Sequence, residues 1–160
     1  YVRGMNRLFD GLKQNIPDFD HFVVSNDDVE FFGTDWGPAF VAMFDTLWPD
    51  DGLGVIELLA HDKCAHYMSR RALFDEQFAG KLADPAYTMY CSDTELLSRL
   101  RDMGRHRWIH TPDHWPGTVC IHHEVTDAVR YTTRCWYHHD IATYNQRAET
   151  NGWPKVISKS

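Results

Sequence analysis

His21-Phe22-Val23-Val24-Ser25-Asn26-Asp27-Asp28-Val29-Glu30 is the stretch on which the reading of this chain turns. Its first half has the β-branched and aromatic composition of a short buried strand. Directly behind that strand stand three side chains able to ligate a metal, Asn26, Asp27 and Asp28. Open α/β sheets gather their ligands at the carboxyl ends of strands. A hard divalent cation such as Mn²⁺ or Mg²⁺ takes such oxygens at about 2.0–2.2 Å and shares itself with phosphates. The same three residues are also ordinary turn formers, because short polar side chains bond their own backbone and tolerate unusual dihedrals. The flanking sequence has to weigh a site against a turn.

Upstream, Met5, Leu8, Phe9 and Leu12 recur at helical spacing, with Arg3, Arg7, Asp10 and Lys13 around the rest of the cylinder, so the pattern predicts an amphipathic helix over 3–14 closed by Pro17. Downstream, Thr34 or Asp35 can cap a helix whose apolar face is Phe40, Met43, Phe44 and Leu47. Leu53 to Leu59 reads as a second strand buried on both faces. His66 to Ser69 reads as a third, leading into a helix from Arg70 to about Ala79 that Gly80 ends. Strands that alternate with helices predict an α/β layer.

Ser92-Asp93-Thr94-Glu95 matches a capping box, with Leu96, Leu97, Leu100 and Met103 as the apolar side of the helix it opens and Gly104 as its stop. Asp93 then falls at the first helical position, where the dipole favours a carboxylate. The segment 105–123 is rich in His and Trp and ends in a short strand, Thr118 to His123. Adjacent strand residues point to opposite faces, so only one of His122 and His123 can readily face a given site. His138-His139-Asp140 opens a last helix with Ile141, Tyr144 and Ala148 on one face, and its polar residues read as a cap. Residues 1–150 make one domain and 151–160 a frayed tail.

Composition narrows the function. The 160 residues carry a net charge of −7 with no basic block, which argues against a nucleic-acid partner held through its phosphates. An anionic ligand would need a metal beside it. No apolar run approaches the ~18 residues of a transmembrane segment and no signal peptide opens the chain, so a cytoplasmic protein is expected. Cys64, Cys91, Cys120 and Cys135 are widely spaced and read as small core residues rather than a zinc or disulfide framework. Gly-x-Gly-x-x-Gly, P-loop and Gly-x-Ser-x-Gly patterns are all missing. The chain starts at Tyr1, almost within a helical pattern, and reads as N-terminally truncated.

The order of these motifs resembles a known family. A helix with an embedded asparagine (Asn6), then Phe-Val-Val-Ser-Asn-Asp-Asp-Val, a tryptophan-led helix, Gly-Val-Ile-Glu, Met-Ser-Arg-Arg and Ser-Asp-Thr-Glu-Leu-Leu-Ser-Arg-Leu together look like the second half of a family 2 glycosyltransferase. The resemblance spans about residues 3–123. It implies a GT-A-like (Rossmann-like) mixed sheet flanked by helices and a hexosyltransferase-type activity. A sugar would pass from a nucleotide-diphosphate sugar donor to a carbohydrate or other hydroxyl acceptor, with inversion and with Mn²⁺ or Mg²⁺ as cofactor.

By this resemblance Asn26-Asp27-Asp28 matches the D-x-D-type motif. Asp28 is then the metal ligand, with His122 or His123 adding to it, and Asn26, Asp27 and Asn6 lie toward the donor. Asp93 matches the aspartate that acts as general base, although Ser92 stands where the family often has glutamate. Arg99 matches an arginine common in the same motif. The family's nucleotide base is held by a segment preceding the first helix, so a completing segment or partner chain is expected. Trp36, Trp108 and Trp115 can stack on sugars, though packing is the safer reading for each.

Two other classes fit the same residues. A metal-dependent hydrolase or phosphodiesterase built from Asp27, Asp28, His122 and His123 would hold two metals about 3.5–4 Å apart. A non-catalytic scaffold or binding module would keep the sheet alone, since a fold does not fix a function.

Overall fold

The structure, a computed structural model, describes residues 1–26, 29–32, 36–58, 64–88, 90–108, 120–122 and 134–157, with backbone alone at 120–122 and 134–136. It is a mixed α/β fold with a small mixed sheet flanked by helices. In chain order the elements are α1 (Val2–Asn15), β1 (His21–Val24), β2 (Val29–Phe31), α2 (Trp36–Leu47), β3 (Val55–Glu57), β4 (Tyr67–Arg70), α3 (Arg71–Gln77), α4 (Ser92–Asp102), β5 (His106–Trp108), β6 (Cys120–His122) and α5 (Arg134–Asn151).

The larger sheet runs β1-β4-β3-β5, and β2 pairs with β6 in a separate two-stranded ribbon. β4 is antiparallel to both β1 and β3, while β5 is parallel to β3. Hence β1, β3 and β5 share a direction and end at one edge. Val24, Tyr67, Glu57 and Trp108 form a single row across that edge.

Side-chain alternation divides the core between the two faces of the sheet. On one face Phe22, Val24, Val55 and Tyr67 meet Phe9 of α1, Leu73 and Phe74 of α3, and Leu96, Leu97 and Leu100 of α4. On the other, Ile56 and Met68 meet Phe40 and Phe44 of α2, with Trp48 and Leu58. Phe40 and Phe44 are fully buried, each contributing about 2–3 kcal/mol before entropy. Gly54 permits this packing, because a Cβ there would run into the Trp48 ring, whose Nε1 donates to Gly104 O at 3.0 Å. A third cluster packs Ile141, Tyr144 and Ala148 of α5 against Val2, Ala83, Tyr87 and Cys91.

The apolar faces expected for α2 and α5 are therefore those that pack, and Val55-Ile56-Glu57 is buried on both sides as expected. Four expectations need correction. Leu8 is 74% exposed, because the buried stripe of α1 runs through Val2, Asn6 and Phe9 with Met5 and Leu12 beside it. α5 begins at Arg134 rather than at His138. The capping box at Ser92 does not form: Cys91 is the N-cap, enters α4 in the left-handed region (φ 63°), and makes no side-chain cap hydrogen bond. Asp93 is accordingly its second residue.

The segment after α5 also does not fray as far as Val156. It folds back, with Tyr144 Oη donating to Pro154 O at 3.0 Å and Asn145 bonding Val156 through both its N–H and C=O. The proposed caps Thr34 and Asp35 lie outside the described residues. Among the described residues no helix is long and apolar enough to cross a membrane.

Candidate functional site

A cavity of about 260 Å³ opens beyond the end of β1, between that strand, the start of α1 and the start of α4. Asn26, two residues past β1, and Asp93, in the first turn of α4, both line it, with Tyr1, Cys64, Tyr67 and Tyr90. Two motifs far apart in sequence thus face one space.

Their polar atoms are only partly engaged within the protein. Asn26 Oδ1 accepts a long hydrogen bond from Tyr1 Oη at 3.4 Å. Asp93 is half-buried, and its Oδ1 accepts from Thr94 N at 2.8 Å and from Thr94 Oγ1 at 3.4 Å. Among the described residues its Oδ2 meets no donor, which leaves one carboxylate oxygen of this lining residue uncommitted at the start of α4. Among the described residues no other charged side chain lines this cavity. Burial pushes the Cys64 thiol well up, reinforced by the carboxylates of Glu57 and Asp93, and burial does the same to the Tyr67 phenol.

The backbone that carries Tyr90 is held from a distance. Asp140 is fully buried and accepts from Tyr90 N at 2.7 Å and from Thr88 N at 3.1 Å, with His139 Nδ1 also at 3.1 Å. Asp140 was expected to cap its own helix. Instead it sits inside α5 and binds amides of the loop before α4. Nothing local in His138-His139-Asp140 signals this, because the partners lie about 50 residues upstream.

A second network anchors the same loop. Arg147 Nη1 donates to Asp84 Oδ2 at 2.7 Å and to Glu95 Oε1 and Oε2 at 2.8 and 3.0 Å, and Tyr87 Oη donates to Glu95 Oε2. Burial is the largest influence on the Asp84 carboxyl and raises it, but the hydrogen bonds from Arg147 and Ala86 N and the charges of Arg147 and Arg99 together hold the group below the usual range. The Tyr87 hydroxyl is pushed up by burial and by the bond to Glu95. Glu95, read from sequence as a capping-box residue, is committed here instead.

Asn6 occupies a buried position on α1, where its Nδ2 donates to Ala83 O at 2.8 Å and its Oδ1 accepts from Ala83 N at 3.1 Å. Its amide completes the backbone of Ala83, which lines the cavity. Asp27, Asp28 and His123 lie outside the described residues. β6 sets His122 opposite Val29 in register, one residue past Asp28 in sequence. Among the described residues no group of three or more His, Cys, Asp or Glu side chains could hold a metal ion. Of the nominated donors, the carboxylate oxygen is of the chemical type that suits Mn²⁺ or Mg²⁺, whereas an imidazole nitrogen is more at home on Zn²⁺, Cu²⁺, Fe or Ni²⁺. Of the three tryptophans, Trp36 stacks on Phe31 at 5.1 Å, Trp108 is 49% exposed at the sheet edge, and Trp115 lies outside the described residues.

No protein-family model, curated protein or solved structure matches the chain.

Proposed function

We propose that this is a GT-A-like domain acting as a metal-dependent inverting glycosyltransferase in the cytoplasm. It would move a sugar from a nucleotide-diphosphate sugar to a carbohydrate or other hydroxyl acceptor. The observation that supports the reading is the shared cavity: Asn26, next to Asp27-Asp28, and Asp93 line the same space. The bond made is acceptor oxygen to anomeric carbon, and the bond broken is anomeric carbon to phosphate oxygen.

Asp93 takes the acceptor's proton on Oδ2 as that oxygen attacks, while its Oδ1 stays fixed by Thr94 N. Attack from the side opposite the leaving group inverts the anomeric centre. Asn26 and Asp27 orient the donor. Asp28, with His122 or His123, would hold the Mn²⁺ or Mg²⁺, which when bound neutralises charge on the departing diphosphate. Tyr1 and Tyr90 line the cavity, and aromatic side chains of this kind can carry a sugar or base.

The test is a calorimetric Mn²⁺ titration with and without UDP or GDP. Metal binding should tighten in the presence of the nucleoside diphosphate and be lost in Asp28→Asn. Asp93→Asn should keep that binding and lose about 10²–10⁴ in transfer rate. No coupling between metal and nucleotide, or transfer by Asp93→Asn within a few-fold of wild type, would sink the proposal. Two bound metals with cleavage of a phosphodiester and no acceptor would favour a hydrolase.

A further inference from the structure

A second cavity, of about 320 Å³, lies on the other side of the wall formed by Leu82, Ala83, Ser92 and Leu96. That volume is at the lower end of the range occupied by small ligands, about 300–1,000 Å³. Its charged lining is asymmetric. Lys81 is already paired with Asp10 at 2.9 Å. Asp84 and Glu95 are already claimed by Arg147.

Arg99 is the exception. Its guanidinium lies 4.4 Å over the Phe78 ring, and its Nη2 donates to Gln77 O at 3.1 Å. Among the described residues its Nε and Nη1 meet no acceptor, and it forms no ion pair. With one of the two Nη2 N–H groups spent on Gln77 O, this guanidinium braced on an aromatic face keeps one complete fork for a carboxylate, made by the other Nη2 N–H together with Nε or Nη1.

The walls restrict the rest of the ligand. Asp84 and Glu95 keep lone pairs that can accept from hydroxyls, since an ionised carboxylate offers about four acceptor positions. Those same carboxylates repel a second negative charge, which disfavours a dianionic phosphate. Leu82, Leu96 and Phe78 supply an apolar side. We propose that this cavity binds a hydroxylated monocarboxylate of monosaccharide size, such as a sugar acid, with its carboxylate on Arg99 and its hydroxyls toward Asp84 and Glu95. The site does not depend on the transfer reading, because it is defined by binding alone.

Glucuronate serves as the probe, with glucose as its neutral counterpart, titrated into ¹⁵N-labelled protein and followed by amide shifts. Saturable shifts should map to residues 77–85 and 95–99, and glucose should bind at least about tenfold more weakly. Arg99→Gln should weaken glucuronate by at least about tenfold, and Arg99→Lys should fall between, because lysine keeps the charge and loses the fork. The glucuronate and glucose comparison needs no variant, so it stands even if Arg99→Gln unfolds. Equal binding of the two sugars, unchanged binding in a folded Arg99→Gln, shifts outside this cavity, or inorganic phosphate binding more tightly than glucuronate would each overturn the assignment.

Discussion

Replacing Asn6 by alanine tests what that buried amide contributes. Both of its hydrogen bonds go to the backbone of Ala83, at 2.8 and 3.1 Å, and both residues are only 9% exposed. The variant orphans one N–H and one C=O at the margin of water's reach, at about 1–2 kcal/mol each, the lower part of the range for an unsatisfied buried group. The gross loss is about 2–4 kcal/mol. Alanine returns roughly 0.5 kcal/mol in helix propensity at this interior position of α1, leaving a net loss of about 2–3 kcal/mol. For a chain of this size that lowers the midpoint of thermal unfolding by roughly 4–12 °C.

Urea unfolding followed by tryptophan fluorescence should show a lower midpoint with an unchanged slope. Asn6→Asp refines the test. It keeps the acceptor for Ala83 N but sets a second oxygen against Ala83 O, so at neutral pH it should be at least as unstable as Asn6→Ala. Its protonated form can donate again. The introduced carboxyl therefore has a raised folded pKa, and the stability gap to wild type should narrow as pH falls toward 4. If Asn6→Ala unfolds within about 0.5 kcal/mol of wild type, the Ala83 bonds are not what fixes this loop, and Asn6 is free for a donor-binding role.

Among the described residues Arg147 is the one donor that joins Asp84 to Glu95, so Arg147→Met breaks that link at a Glu95 that is 4% exposed. A loss of about 2–4 kcal/mol is expected, below the largest values for buried pairs because Arg147 itself is a third exposed. A double-mutant cycle with Glu95→Gln should return a coupling above about 1 kcal/mol, and a coupling near zero would refute the network. His21 accepts from Arg70 Nε on its Nε2 at 3.2 Å, which assigns the proton to Nδ1 beside Asp20. Burial, with the Arg70 charge, lowers its pKa from 6.5 despite Asp20. The unfolded state then binds the proton more readily, so this contribution is complete above about pH 6.5 and fades as pH falls through and below that value. Urea midpoints from pH 7.5 to 5 should fall less steeply in His21→Gln, and parallel curves would refute the assignment.

The sequence made legible those features that local periodicity encodes. The Phe40 and Phe44 face of α2, the Tyr144 face of α5 and the apolar run at Val55-Ile56 follow from spacing, since burial of such stripes is what drives the packing. β2 and β5 did not, because three residues are too few to show a period. Leu8 and Asn6 show the limit within a helix: one turn of the cylinder was assigned to the core and its neighbour buried instead. Asp140 and Glu95 show the limit for polar groups, since both carry local cap signals and both are captured by partners far along the chain. Asn26 and Asp93 were singled out separately, and only the fold reveals that they line one cavity. Arg99 was noted for its place in a motif, with nothing in sequence to say that its edge is uncommitted.

The loop between α3 and α4 has consequences for the order in which the molecule assembles. Its described residues form no helix or strand, yet Ala83 is gripped from 77 residues away by Asn6, and Asp84 from 63 residues away by Arg147. Each grip closes a long stretch of chain, and such closures come late because their entropy must be lost before any contact rewards it. α1 and α5 therefore meet over this loop near the end of folding. Both cavities share its Leu82 and Ala83, so neither chamber is complete until those last closures are made.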